Sequence, residues 1–175
     1  MLSNSLRVSI LLAVVIPLLF NEGKAAQASG DQSKALEDLI NGSIFETKSR
    51  DRLERYKYDK VHVEHCSIAW IESHEVWENK QRTLAEVTEI TVPVRAIDSK
   101  TIRVDRLKES GVMVSILTKG LEPGIVTRQH MQWGEDPPTD SSGIATGTAF
   151  YFADSAVAEK VLRTINSLIP TCSTK

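Results

Sequence analysis

Residues 148–172, TAFYFADSAVAEKVLRTINSLIPTC, decide the fold of this chain. They begin with a short aromatic strand, and Asp154 or Ser155 can cap the following helix, because a short side-chain oxygen accepts an unpaired backbone N–H. Pro170 is expected to end that helix, since proline has no N–H to donate. A strand followed by an amphipathic helix predicts a sheet covered by a C-terminal helix. The apolar face of this helix consists of Ala158, Val161, Leu162, Ile165, Leu168 and Ile169.

The first 28 residues are predicted to be a secretory signal peptide. Arg7 gives a positive start, residues 8–20 form an uncharged apolar run, and Ala26–Ala28 has the A-x-A pattern of a cleavage site. The alternative, a membrane anchor, would need about 20 apolar residues. We therefore expect an exported chain with an extracytoplasmic location, periplasmic or secreted, and no stable membrane insertion after signal cleavage.

The charge of the chain narrows the class of partner. The formal net charge is −2, and no basic run occurs after the predicted signal peptide. Binding to nucleic acid or to anionic membranes relies on clustered lysines and arginines. We therefore expect no nucleic-acid partner.

Residues 29–60 are predicted to form an N-terminal helix and a charged connection. Ala35, Leu36, Leu39 and Ile40 share one helical face, and Gly42 is placed to end the helix. Residues 46–60 are dense in charges of both signs, which largely cancel and are typical of a solvated segment.

Residues 61–172 are predicted to form the β domain with its C-terminal helix, because the apolar period changes to two at Val61. Residues 73–81 are expected to be a polar turn or bulge region, and residues 134–143 a loop. The predicted fold class is α+β: a curved antiparallel sheet or partly open barrel of about six to seven strands with a C-terminal capping helix, plus the short N-terminal helix. The strands are expected at 61–72, 83–92, 101–107, 112–117, 125–133 and 150–152, and residues 94–97 are expected to continue the extended chain after 83–92.

Cys66 and Cys172 are the two cysteines of the chain. Export permits a disulfide, which would join an early strand to the chain just after the terminal helix. The alternative is two separate buried thiols. We predict the disulfide, because free thiols are uncommon in exported proteins.

Two histidine-containing stretches suggest a metal but lack the required spacing. In residues 62–66, HVEHC, the ligand types suit zinc, yet His62 and His65 face opposite sides of a strand. In residues 74–78, HEVWE, Glu78 stands where the zinc-protease motif needs a second histidine. We therefore expect no metal site.

No catalytic residue or cofactor-binding motif is expected, and the chain is predicted not to be an enzyme. Ser141 and Ser142 lie in a proline-containing loop and do not form a nucleophile elbow. Glu72, Glu75 and Glu78 are expected to form a solvated acidic turn, because nothing in the sequence raises a carboxylate pKa by burial.

The candidate binding surface consists of His74, Trp77 and His130. Trp77 lies in a polar stretch, and a tryptophan exposed there would mark a place where a partner binds.

The ending Phe150, Tyr151, Phe152, Ala153, Asp154, with the helix and Cys172 after it, resembles the closing strand and helix of bacterial pleckstrin-homology-like (PH-like) domains. The likeness covers roughly residues 56–172 as a pattern of elements. It implies a curved sheet closed at one end by a C-terminal helix. The basic phosphoinositide-binding loop of the lipid-binding members is not visible in this sequence, so no ligand follows from the resemblance.

Two hypotheses of function follow. The first is an exported, non-enzymatic binding or assembly module that holds a protein partner, since a sheet edge can accept another strand. The second is a carrier of a small apolar ligand between the sheet and the terminal helix. A third, minor hypothesis is a hydrolase or metal enzyme using His62, His65, His74 or His130.

Overall fold

The computed structural model describes residues 30–107 and 111–173, so the predicted signal peptide, residues 1–28, lies outside the described residues. Within them the chain forms two helices and two open antiparallel sheets, and the predicted α+β class is confirmed. Helix α1 spans residues 30–40, and helix α2 spans Ser155–Ser173. The strands are β1 (Ile44–Lys48), β2 (Arg52–Glu64), β3 (Ser67–Glu78), β4 (Gln81–Pro93), β5 (Arg103–Arg106), β6 (Val112–Leu117), β7 (Ile125–Trp133), β8 (Thr139–Ala145) and β9 (Gly147–Phe152).

The larger sheet has six strands in the order β1-β2-β3-β4-β7-β8, and the smaller has the order β5-β6-β9. The inner face of the larger sheet is the one that carries Tyr58, Trp70 and Ile90. Its apolar half packs against β9, where the ring of Phe150 lies 4.4 Å from that of Trp70. The buried Tyr58 hydroxyl accepts a 2.8 Å hydrogen bond from the Tyr151 backbone N–H and so ties the two sheets together.

Helix α2 covers the core with the face that its sequence predicts. Val161 and Ile165 are fully buried, whereas Leu162 is only partly buried. Burial of the apolar face supplies most of the stability of such a helix. In the part of the chain that the structure describes, no helix is long and apolar enough to span a bilayer.

The prediction that Pro170 ends this helix was wrong, since α2 continues to Ser173 with Pro170 inside it. The ring of Pro170 is exposed to solvent, while Ile169 and Cys172 on either side are buried. The Ser173 hydroxyl also donates a 2.9 Å hydrogen bond to the carbonyl of Ile169. Burial of Ile169 and Cys172 and this hydrogen bond hold the last turn, although proline removes one backbone donor.

Cys66 and Cys172 form a disulfide with their Cα atoms 5.6 Å apart, so the predicted pair is confirmed. Cys66 lies in the turn between β2 and β3, where both His65 and Cys66 have positive φ. The bond therefore joins the tip of this hairpin to the last turn of α2. A disulfide is compatible with an extracytoplasmic location.

The structure differs from the prediction at residues 46–60, which form most of β1 and β2 rather than a charged connection. The predicted boundary between residues 60 and 61 falls inside β2. The charged side chains lie mainly on the outer face, where Arg55 is 2.6 Å from Glu46 and 3.7 Å from Glu75. Tyr56 and Tyr58 alternate with them toward the inside. Because charged residues are so frequent in this segment, the strand alternation was not recognised in the sequence.

Two polar segments also belong to the sheet. Strand β3 continues through most of the region at 73–81, where the register shifts between Val76 and Trp77 as the bulge alternative predicted. The chain reverses at Asn79 and Lys80, which both have positive φ. The expected loop at 134–143 contains a turn over 134–138, after which β8 begins. The chain expected to be extended at 94–97 is largely a 3₁₀ turn, Val94–Ala96.

Candidate ligand-binding site

Polar side chains replace apolar ones on the inner face of the larger sheet beyond its apolar half. On β3, Glu72 and His74 take the inward positions between Trp70 and Val76, because side chains alternate along a strand. The strand register places Glu72 beside Thr88 and His74 beside Glu86. We call this surface the inner polar strip; it consists of Glu72, His74, Glu86, Thr88 and Gln129.

Glu86 is the hydrogen-bonding centre of the inner polar strip. Its Oε1 accepts hydrogen bonds from Gln129 Nε2 at 2.6 Å and from Thr88 Oγ1 at 2.9 Å. Its Oε2 lies 3.9 Å from Nδ1 of His74. The neighbouring His74 imidazole, followed by the Gln129 and Thr88 donors, lowers the pKa of Glu86 to about 2 although burial opposes this. Glu86 is therefore a fixed negative charge at neutral pH.

Glu72 is the second carboxyl group of the inner polar strip. Its environment raises its pKa, whereas that of Glu86 is lowered. Burial, with a further contribution from the charge of Glu86, raises the pKa of Glu72 to about 7. The expectation that Glu72 lies in a solvated acidic turn was therefore wrong. Glu75 also lies within β3, but it faces outward, 3.4 Å from Arg82. Glu78 fits the expectation best, since it is exposed at the end of β3 beside the turn.

Aromatic rings form one wall of the strip. The ring of Tyr56 stacks on that of His74 with centroids 4.2 Å apart and an angle of 7° between the planes. Tyr151, from the smaller sheet, lies 4.5 Å from Tyr56, and Phe45 lies 5.8 Å from Tyr151. Burial raises the pKa of both Tyr56 and Tyr151, and nearby negative charge, including that of Glu72, adds to the effect. The tyrosines therefore lie within the field of the Glu72 carboxylate.

Three ring nitrogens on β3 are buried without a hydrogen-bond partner: Nε1 of Trp70, Nε2 of His74 and Nε1 of Trp77. Trp70 and His74 occupy the inward positions on either side of Glu72. Nearly all buried polar atoms in proteins have a partner, and an unpaired one commonly marks a place for water or a ligand. The inner polar strip therefore contains one unpaired ring nitrogen, that of His74, close to the partly buried Glu72.

The structure does not bring the three predicted surface residues together. His74 lies in the inner polar strip, and Trp77 is half-buried beside a bulge of β3. His130 lies on the outer face, where its Nδ1 is 2.6 Å from Oδ1 of Asp140. A shallow depression of about 520 Å³ surrounds His130 and Asp140.

Glu72, Glu86 and Gln129 were missed at the level of sequence, although a signal exists. In β4, Glu86 and Thr88 stand at period-two positions between the apolar Leu84 and Ile90. Such polar residues in phase with an apolar face point inward. The same pattern recurs in β3, so pairing the two strands would have revealed the strip.

A metal centre finds no support among the described residues, where no three His, Cys, Asp or Glu side chains are placed to hold an ion. No protein-family model, curated protein or solved structure matches this chain. The resemblance to PH-like domains therefore stays a prediction.

Proposed function

We propose that the protein is an exported, non-enzymatic binding module, and that a polar group of a small ligand docks in the inner polar strip. The observation that carries the proposal is the cluster formed by partly buried Glu72, the hydrogen-bonded Glu86 and the unpartnered ring nitrogens of Trp70 and His74. Binding sites combine an apolar or aromatic lining with a few convergent polar groups. Tyr56 and Tyr151 supply such a lining.

This proposal places the ligand on the strip rather than beneath α2, where the hypothesis of an apolar-ligand carrier would place it. The space under α2 contains buried side chains such as Val161, Ile165 and Leu168. The polar strip offers unused hydrogen-bonding groups, which suit a ligand with a polar head. The carrier hypothesis stays a prediction.

Native mass spectrometry of protein purified from its own host tests the proposal. We expect an adduct of small-molecule mass that is lost in Glu86→Gln and kept in Glu75→Gln, whose side chain faces outward. Persistence of the adduct in Glu86→Gln, or bare protein in every preparation, would contradict the proposed site. Release of a chemically altered ligand would contradict the non-enzymatic part, because two carboxyl groups with separated pKa values also suit acid–base exchange.

The second candidate function, holding a protein partner, is favoured by strand β8. This edge strand pairs with β7 alone among the described strands, and all its residues except Ala145 are exposed. An exposed edge can accept a strand from another protein. We expect Ile144→Lys to abolish a larger complex in native spectra, because an edge lysine opposes strand addition. Ile44→Lys on β1, the other edge, is the matched control; equal loss in both variants would contradict a role of β8.

A further inference from the structure

Asn41 and Gly42 form an Asn-Gly pair in the turn between α1 and β1, and this pair is prone to a spontaneous chemical change. The backbone nitrogen of the glycine attacks Cγ of the asparagine, the Cγ–Nδ2 bond breaks, and ammonia leaves. Water then opens the resulting cyclic imide to aspartate or isoaspartate. Both residues are exposed, and no described atom lies within 4 Å of the point where a Cβ of Gly42 would stand. Neither water nor space therefore limits the reaction at this turn.

Hydrogen bonds engage all the groups that take part in this reaction. Nδ2 of Asn41 donates a 3.0 Å hydrogen bond to the carbonyl of Val61, and Oδ1 of Asn41 accepts a 2.7 Å hydrogen bond from the N–H of Val61. The N–H of Gly42, whose nitrogen is the attacking atom, donates a 2.7 Å hydrogen bond to the carbonyl of Tyr58. The attack requires this N–H to lose its proton and Nδ2 to leave Val61. The folded structure therefore opposes the reaction.

The bonds of Asn41 replace those of a missing strand. Strand β1 pairs with β2 only as far as Lys57, so Val61 has no partner on that edge among the described strands. The side-chain amide of Asn41 supplies both the donor and the acceptor that a neighbouring strand would supply. One turn earlier in α1, Oε1 of Glu37 accepts a 2.9 Å hydrogen bond from the N–H of Val63. Side chains at the end of α1 thus join this helix to β2.

Deamidation would break this pairing. An aspartate at position 41 has a carboxylate oxygen in place of Nδ2, and this oxygen faces the carbonyl of Val61. Two acceptors without a proton between them repel each other, and the carbonyl loses its donor. Isoaspartate, the other product, adds one methylene group to the main chain and displaces Gly42 from the carbonyl of Tyr58.

We propose that Asn41 is a deamidation site that the fold keeps unreactive, and that it reacts when α1 detaches from β2. Native proteins open locally with less free energy than global unfolding requires. A chain that reacts while open cannot restore the pairing of residue 41 with Val61, so the opening becomes irreversible at this point. Neither the inner polar strip nor the β8 edge takes part, so this modification is separate from the proposed function.

Incubation of the full disulfide-bonded protein at pH 8, followed by tryptic digestion and mass spectrometry, measures the reaction. Cleavage after Lys34 and Lys48 releases residues 35–48, in which Asn41 is the only amide side chain. We expect residue 41 to react at least about tenfold more slowly in the folded protein than in this free peptide, with equal digestion times, because the folded chain must first open. Equal rates in the two samples would overturn the inference.

Two variants distinguish detachment of α1 from global unfolding. Leu36→Ala removes a fully buried side chain of α1 and should accelerate the reaction in the folded protein. Ile165→Ala removes a fully buried side chain of α2 and is the matched control, which should accelerate the reaction less. Equal acceleration in both variants would show that global unfolding is the route, and that detachment of α1 is not.

Asn41→Asp measures the effect of the modification on the fold. We expect this variant to melt at a lower temperature than the parent protein, because the carboxylate faces the carbonyl of Val61. Asn79→Asp, in the exposed turn between β3 and β4, makes the same change of charge and should lower the melting temperature clearly less. An unchanged melting temperature for Asn41→Asp would contradict the irreversible opening. The comparison of rates in the parent protein decides the protection of Asn41 even if this variant does not fold.

Discussion

Glu72 and Glu86 are two glutamates on neighbouring strands whose surroundings move their pKa values in opposite directions. Burial raises the pKa of Glu72 to about 7, while His74 and two hydrogen-bond donors lower that of Glu86 to about 2. The residue type alone gave no indication of this difference, because the sequence shows neither burial nor hydrogen bonding. The difference depends on which glutamate has partners after the strands pair.

We expect the stability of the protein to fall as pH rises from about 4.5 to about 7, because native Glu72 holds its proton over this range while the unfolded chain releases it. The decrease over the whole window is roughly 3 kcal/mol. Glu86 affects stability over a different pH range. Its contribution to the free energy of unfolding is lost only as pH falls below 4.5 toward about 2. The other titratable groups facing Glu72 are His74, Tyr56, Tyr58 and Tyr151.

Urea unfolding at pH 5 and pH 8 measures this effect. Glu72→Gln should lack most of the decrease, because glutamine does not ionise, and should be more stable than the parent protein at pH 8. Glu75→Gln, on the outer face, should follow the parent. Parallel pH profiles for Glu72→Gln and the parent would show that Glu72 is not buried as described.

Helix α2 shows how far a periodic pattern predicts an element. Its start and apolar face could be predicted from spacing, because a 3.6-residue period has a direct geometric meaning. Its end could not, because tertiary packing around Cys172 overcomes the local effect of Pro170. The strands followed the same rule: β6 is apolar and was recognised, whereas the charged β2 and the polar β8 were not.

Ile165→Ala should destabilise the protein by roughly 2–5 kcal/mol, because it removes fully buried apolar atoms and leaves a cavity. Leu162→Ala should cost clearly less, since that side chain is only partly buried. Thermal or urea unfolding of the two variants gives the comparison. A larger loss for Leu162→Ala would mean that α2 presents a different face to the sheets.

At the scale of the whole molecule, the Cys66–Cys172 bond links residues that are 106 positions apart. The pairing could be predicted because only two cysteines exist. The surroundings of the bond could not be predicted, since they depend on α2 reaching the tip of the β2–β3 hairpin. The inner polar strip could not be predicted either, because it requires strand registers that a single sequence does not supply.

Reduction of this disulfide should lower the melting temperature, because a loop of this length is expected to contribute about 4–5 kcal/mol by restricting the unfolded chain. Thermal unfolding with and without a reducing agent measures the change. A double Cys66→Ala, Cys172→Ala variant is the control and should not respond to reductant. Two titratable thiols in the denatured, unreduced protein would contradict the bond.

The same bond changes what a protease can do to this protein. The turn at 134–138 is exposed and lies between the two cysteines in sequence. A cut there would leave a fragment ending near β7 and a fragment carrying β8, β9 and α2, still joined covalently through sulfur. Outside a reducing compartment, a nicked molecule would therefore keep its full mass and could retain its folded arrangement. In an oxidising environment, cleavage of the backbone at this turn would therefore not by itself separate the two fragments.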